Sequence, residues 1–232
     1  MAKLVLAGGT DVAEMALFDV DALVRDRPDS DDIKNIETRG SALRFPTGAE
    51  GGYLLHAYLD EPIPADLLKY CVAGDRKSAI LTVSSGNIGF GGIESLYSTF
   101  KSNANIRADG KVVAGNYDVT AYRTEYPDQL IEDAVKSRIG SSGTRIEKLP
   151  GYIIPIALVS TIAAFFASGW LAALCAVLVG VTTLVVYFRT PLVRRISNAR
   201  RDVEMGYPSI VVHMRSNNAL ERTREECANC QT

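Results

Sequence analysis

Apolar positions in this chain follow three different patterns. No charged residue occurs from Leu149 to Phe188, whereas on either side apolar residues alternate with polar ones or recur at helical spacing. A single helix over residues 151–188 would measure about 57 Å at 1.5 Å per residue, nearly twice the hydrocarbon thickness of a bilayer. Two passes fit instead, 152–167 and 170–188, with the chain reversing at Ser168-Gly169. Trp170 beside the turn suits one interface, and Tyr152 and Tyr187 suit the other. Pro155 falls near the start of the first predicted helix, and Gly180 permits close contact between the two.

Outside that segment one pattern occurs twice. GGYLLHAYLDEPIPADLLKYCV (51–72) matches GNYDVTAYRTEYPDQLIEDAV (115–135) at Gly51 and Gly115, Tyr53 and Tyr117, Ala57-Tyr58 and Ala121-Tyr122, and Glu61 and Glu125. One residue is lost in the turn, and the match resumes at Pro64 and Pro127. Tyr53, Leu55, Ala57 and Leu59 share a face at period two, as do Tyr117, Val119 and Ala121, so each copy begins with a strand. Leu67, Leu68, Cys71 and Val72, like Leu130, Ile131, Ala134 and Val135, form a stripe behind a helix-starting proline, which predicts a helix. The fold class is therefore α+β: a duplicated strand-helix module about a pseudo-twofold axis, a two-helix transmembrane hairpin, and a C-terminal helix-strand tail. The expected domains are 1–75 (first module), 76–144 (second module), 150–188 (hairpin) and 189–232 (basic helix, returning strand and polar tail). Asp26–Glu37 reads as an exposed loop and SSGT (141–144) as a linker. PLVRRISNARRDVEMG (191–206) opens on Pro, closes on Gly, and carries a stripe of Leu192, Ile196, Ala199 and Val203. SIVVHM (209–214) is strand-like and needs a partner sheet in the front modules, and 217–227 forms a short polar helix or a loose end.

Charge sharpens this division. Residues 1–150 hold 17 Lys and Arg against 22 Asp and Glu, and residues 189–232 hold 8 against 5. Neither end has the dense cationic clustering of a phosphate-backbone binder, which argues against nucleic acid. Arg145 and Lys148 precede the hairpin and Arg189, Arg194, Arg195, Arg200 and Arg201 follow it, while its tip has no charge. The positive-inside rule then puts both termini in the cytoplasm, with a bacterial inner membrane as the expected location and the five arginines against anionic headgroups. Ser160, Thr161, Thr182 and Thr183 are the hairpin's polar side chains; none ionises, so it reads as an anchor.

Tyr58 and Tyr122, on the strand face opposite Tyr53 and Tyr117, are candidates for a partner-binding surface, with Glu61 and Glu125 beside them complementing the starts of the predicted helices. No catalytic, cofactor-binding or metal-ligating set emerges. His56 and His213 sit in apolar strand sequence, and CANC (227–230) lies in a tail too short for a thioredoxin-like unit. The four cysteines are too scattered for a disulfide framework and suit a reducing compartment. AGGTD (7–11) resembles the short loop of the FAD-binding subunits of molybdenum-containing hydroxylases. The resemblance spans five residues and no second motif of that family occurs, so a β-turn is expected there. SSGNIGFGG (84–92) lacks the GK[ST] of a phosphate cradle and reads as a hairpin turn.

These features predict a membrane-anchored, non-enzymatic module that binds a protein partner, of the kind a toxin-neutralising immunity protein represents. A nucleotide- or flavin-binding enzyme using loops 7–11 or 84–92 is the alternative, and a small transporter or pore component is the second alternative.

Overall fold

The computed structural model describes residues 3–22, 33–96 and 106–217. The chain forms two compact units: Met1–Glu125 together with Pro208–Thr232, and Tyr126–Tyr207. The fold is mixed α+β with two sheets.

The first unit contains β1 (Lys3–Thr10), β2 (Glu14–Asp19), α1 (Ile33–Thr38), β3 (Ala42–Pro46), β4 (Gly51–Leu59), α2 (Ala65–Leu68), β5 (Lys77–Val83), β6 (Asn87–Gly92), β7 (Arg107–Lys111), β8 (Gly115–Arg123) and, after the other unit, β9 (Ile210–Ser216). One sheet runs β1-β4-β9-β8-β5 and the other β3-β2-β6-β7. Within β1–β4 the first strand pairs with the fourth and the second with the third, and β5–β8 repeat this arrangement. The two inner faces close on one core: Leu55, Ala57, Leu81, Val119, Val212 and Met214 from the larger sheet meet Met15, Leu17, Leu43, Ile88 and Phe90 from the smaller. A single backbone bond joins the sheets at each corner, Gly9 N–H to Ile106 O (3.2 Å) and Thr82 N–H to Gly40 O (2.7 Å).

β9 lies in the middle of its sheet, parallel to β4 and antiparallel to β8. Ile210, Val211, Val212 and Met214 are all buried, as expected of a β-branched run covered on both faces. The tail strand thus pairs with the front sheet by entering between two strands.

Several local expectations give way to sheet pairing. The helix expected after β4 shrinks to the single turn α2, because Val72 N–H donates to Arg123 O and Cys71 bridges Thr124, which draws the segment into extended geometry. Ala7–Thr10 is the end of β1 and not a turn; a Cβ on Gly8 would lie 3.0 Å from Phe90 O, so this glycine permits close approach of two backbones. Residues 77–92 do run strand-turn-strand, but β5 and β6 belong to different sheets, so the turn is a corner and not a hairpin. Gly86 there has φ +86°, and a Cβ would sit 2.5 Å from Val112 O, which leaves glycine alone able to make the corner. Residues 33–37 of the predicted exposed loop are helical; the remainder of that loop, residues 218–227 of the predicted polar end, and the CANC cysteines lie outside the described residues.

The second unit contains α3 (Asp128–Ser168), α4 (Trp170–Arg189) and α5 (Pro191–Glu204). The expected linker at 141–144 is helical; the only departure from helical geometry within α3 is at Gly140, at φ +72°. Pro150 and Pro155 therefore lie inside a helix and not at its start. Gly169 (φ +81°) alone separates α3 from α4. The two helices approach closely where a Cβ on Gly180 would lie 3.0 Å from Ala157 Cβ, and Tyr187 O–H donates to Ile146 O at 2.6 Å. Both are long and apolar enough to cross a membrane, and none of the residues in their most apolar stretches is buried.

α5 packs through Val193 and Ile196, so its buried stripe is rotated from the predicted one and leaves Leu192 exposed. Arg200 reaches Glu132 (2.9 Å), Glu147 (3.0 Å) and Glu204 (2.8 Å). Glu132 precedes Gly140 and Glu147 follows it, so one guanidinium holds both limbs of α3 against α5.

Candidate functional site

A cavity of about 450 Å³ opens in the first unit where β3, β5, β8 and β9 diverge. The end of β3 supplies Phe45, Pro46 and Thr47, and β4 supplies Tyr53. The turn before β5 supplies Gly74, Asp75 and Arg76, followed by Lys77; Arg123, Thr124, Ser209 and Ile210 close the far side. Phe45, Pro46 and Ile210 make an apolar wall, and three cations face one carboxylate.

Most of the polar groups are already committed. Arg123 donates from Nε to Asp75 Oδ2 (2.7 Å) and pairs with Glu125 (2.9 Å). The bond to Asp75 holds its guanidinium still more firmly protonated, with burial opposing the shift. Lys77 Nζ donates to Arg44 O (2.7 Å) and to Glu37 (3.2 Å). Tyr53 O–H donates to Ala49 O (2.6 Å), Thr124 Oγ1 donates to Pro208 O, and Ser209 Oγ accepts from Leu54 N–H. Arg76 is exposed and is the cation of this lining without an ion pair among the described residues.

The residues predicted as a partner surface are dispersed. Tyr58 is 4 % exposed, and burial, with the Asp66 carboxylate adding to it, pushes its phenol pKa up. Tyr122 is half-buried on the other side of β9, opposite Val211, while Tyr58 is opposite His213. Glu61 is half-buried, and Glu125 is exposed and bound to Arg123. Of the five arginines predicted to lie against lipid, Arg189, Arg194, Arg195 and Arg201 are exposed, whereas Arg200 is taken by its three glutamates. Among the described residues no group of three or more His, Cys, Asp and Glu is placed to hold a metal ion. Sequence reading missed the cavity because Asp75-Arg76-Lys77 looks like an ordinary solvated charge run; the available signal was that Lys77 falls on the same period-two face as Leu81 and Val83, which are buried in the core.

His213 in β9 is half-buried, with Tyr58 and Thr120 on either side in register. Burial lowers its pKa from 6.5 and Arg215 lowers it further, while Asp60 opposes the shift. The unfolded chain then takes up this proton first as the pH falls. The stabilisation is complete above 6.5 and is lost as the pH drops through the folded value. Urea midpoints should fall between pH 7.5 and 5.5, and His213→Gln should flatten that slope; equal slopes in the two proteins would assign the loss to other groups.

No protein-family model matches the sequence, and no curated protein matches it. Two solved structures have partial likeness to the chain. The protein titled Crocagin biosynthetic gene J has 15 % identity and a TM-score of 0.37 over 53 % of this chain and 76 % of its own. ComJ from Bacillus subtilis, titled an inhibitor of the DNA-degrading activity of NucA, has 13 % identity and a TM-score of 0.33 over 53 % of this chain and 82 % of its own.

Proposed function

We propose that this protein is a non-enzymatic binding module anchored in a membrane by a two-pass hairpin, with both termini in the cytoplasm, and that its sandwich recognises a protein partner. An immunity-type inhibitor is the concrete form of this reading. The observation that carries it is the pair α3 and α4, which present many exposed large apolar side chains, from Tyr152 to Phe166 and from Trp170 to Phe188. Water-exposed apolar area on that scale is an aggregation liability, and lipid removes it. Cations flank the pair at Arg145, Lys148 and Arg189, and its tip at Gly169 has none.

The sandwich itself reads as two copies of a four-strand unit. Gly51 and Gly115 both have positive φ at the start of β4 and β8, and they pair with Thr10 and Val83. Tyr53 and Tyr117 each donate to a carbonyl four residues earlier. The corner bonds from Gly9 and Thr82 correspond, and Leu17 pairs with its own counterpart Phe90, where the pseudo-twofold axis would pass.

Alkaline phosphatase inserted at Gly169 should be active and the same enzyme fused after Thr232 inactive. An active C-terminal fusion, or release of the intact chain from membranes by carbonate, would overturn the topology.

A further inference from the structure

One difference between the two copies locates a ligand site; the inference rests on the duplication proposed above. Each corner of the sandwich leaves a seam, β1 against β7 and β5 against β3. At the first seam Leu4 and Leu6 pack over Gly110, where a Cβ would lie 2.7 Å from Leu4 Cδ1, and Tyr117 of the same copy is 3 % exposed. Matching the paired residues of the two ladders places Lys77 on Leu4 and Phe45 on Gly110. At the second seam the ammonium of Lys77 turns aside to Arg44 O, Tyr53 is half-exposed, and the space that leucine fills in the other copy remains open.

An unfilled core seam of this size is a stability loss that close packing normally removes. Here the opening is instead lined by Arg76, Lys77 and Arg123 against Asp75, beside the apolar surface of Phe45 and Ile210. The geometry points to a binding site for an organic anion: a carboxylate held at Arg76, with an aromatic or aliphatic body against Phe45 and Ile210. A cavity of about 450 Å³ lies within the ordinary range for such ligands. The carboxylate is carried either by an acidic side chain beside an apolar residue of the protein partner or by a free organic acid.

The test uses the full chain in phosphatidylcholine nanodiscs, with empty nanodiscs as reference and ligand-observed NMR as readout. One arm compares phenylacetate with phenethylamine; the other compares N-acetyl-Phe-Glu-amide with N-acetyl-Phe-Lys-amide. The anion of at least one pair should bind about tenfold more tightly than its cation, Arg76→Glu should remove that preference, and Arg76→Lys should keep most of it. Because Arg76 is exposed, these variants should melt with the parent. Binding of the dipeptide alone assigns the carboxylate to a partner segment, and binding of phenylacetate assigns it to a free acid. Equal binding of anions and cations, an undiminished preference in Arg76→Glu, or no binding in either arm overturns the site. None of these results bears on the phosphatase topology, so the two readings fail separately.

Discussion

Val212→Asp should abolish the cooperative unfolding of the β-sandwich. Val212 is fully buried on the inner face of β9, opposite Ala57 of β4 on one side and Ala121 of β8 on the other. Two flanking alanines leave space that the valine fills inside the hydrophobic cluster of the sandwich. A carboxylate there either remains charged without a partner or takes up a proton. Either course costs several kcal/mol, against a total stability of about 5–15 kcal/mol for an ordinary domain. Near-ultraviolet circular dichroism and urea titration of the full chain in detergent would report the loss. Arg215→Ser, at an exposed position on the same strand, should stay within about 0.5 kcal/mol of the parent. A Val212→Asp protein that melts like the parent would remove β9 from the centre of the sheet.

Replacing Leu158 and Leu178 together by arginine should expel the chain from the membrane fraction. The two side chains are 61 % and 58 % exposed, one near the middle of each apolar helix. On insertion scales an arginine at mid-helix adds about 2.5–3.5 kcal/mol to the transfer free energy, so the pair outweighs much of what the neighbouring leucines and valines contribute. The protein should then appear in the soluble or aggregated fraction after carbonate extraction. Retention in the bilayer at the parental level would mean that these faces do not meet lipid.

The sequence was legible where a pattern is local and long. The charge-free run and its Ser168-Gly169 break correspond to the second half of α3, which begins well before the predicted residue 152, and to α4, joined at Gly169. Pro191 and Gly206 bracket α5, and period-two alternation identified β4 and β8. It was illegible where a distant partner decides the outcome. Leu67, Leu68, Cys71 and Val72 carry helical spacing, yet Arg123 and Thr124, at the end of β8, hold the last two in extended geometry. A short glycine-containing turn between β5 and β6 looks like a hairpin from its sequence, and only sheet membership reveals that the strands part. SSGT reads as a linker by composition, but it continues a helix whose break is one residue earlier, at Gly140. The candidate site was hidden for the same reason: Lys77 gains meaning only beside Phe45 and Arg123, which strands distant in sequence bring to it.

The central position of β9 also dictates an order of assembly. A ribosome releases β1 to β8 first, with a vacant slot between β4 and β8, and must then synthesise all of residues 126–207 before the strand that fills it emerges. The nascent sandwich therefore waits, its half-built core accessible, until the helical insert has left the exit tunnel. Closure of so remote a contact is slow, which makes the interval between the two events the stage at which the newborn polypeptide most needs a chaperone.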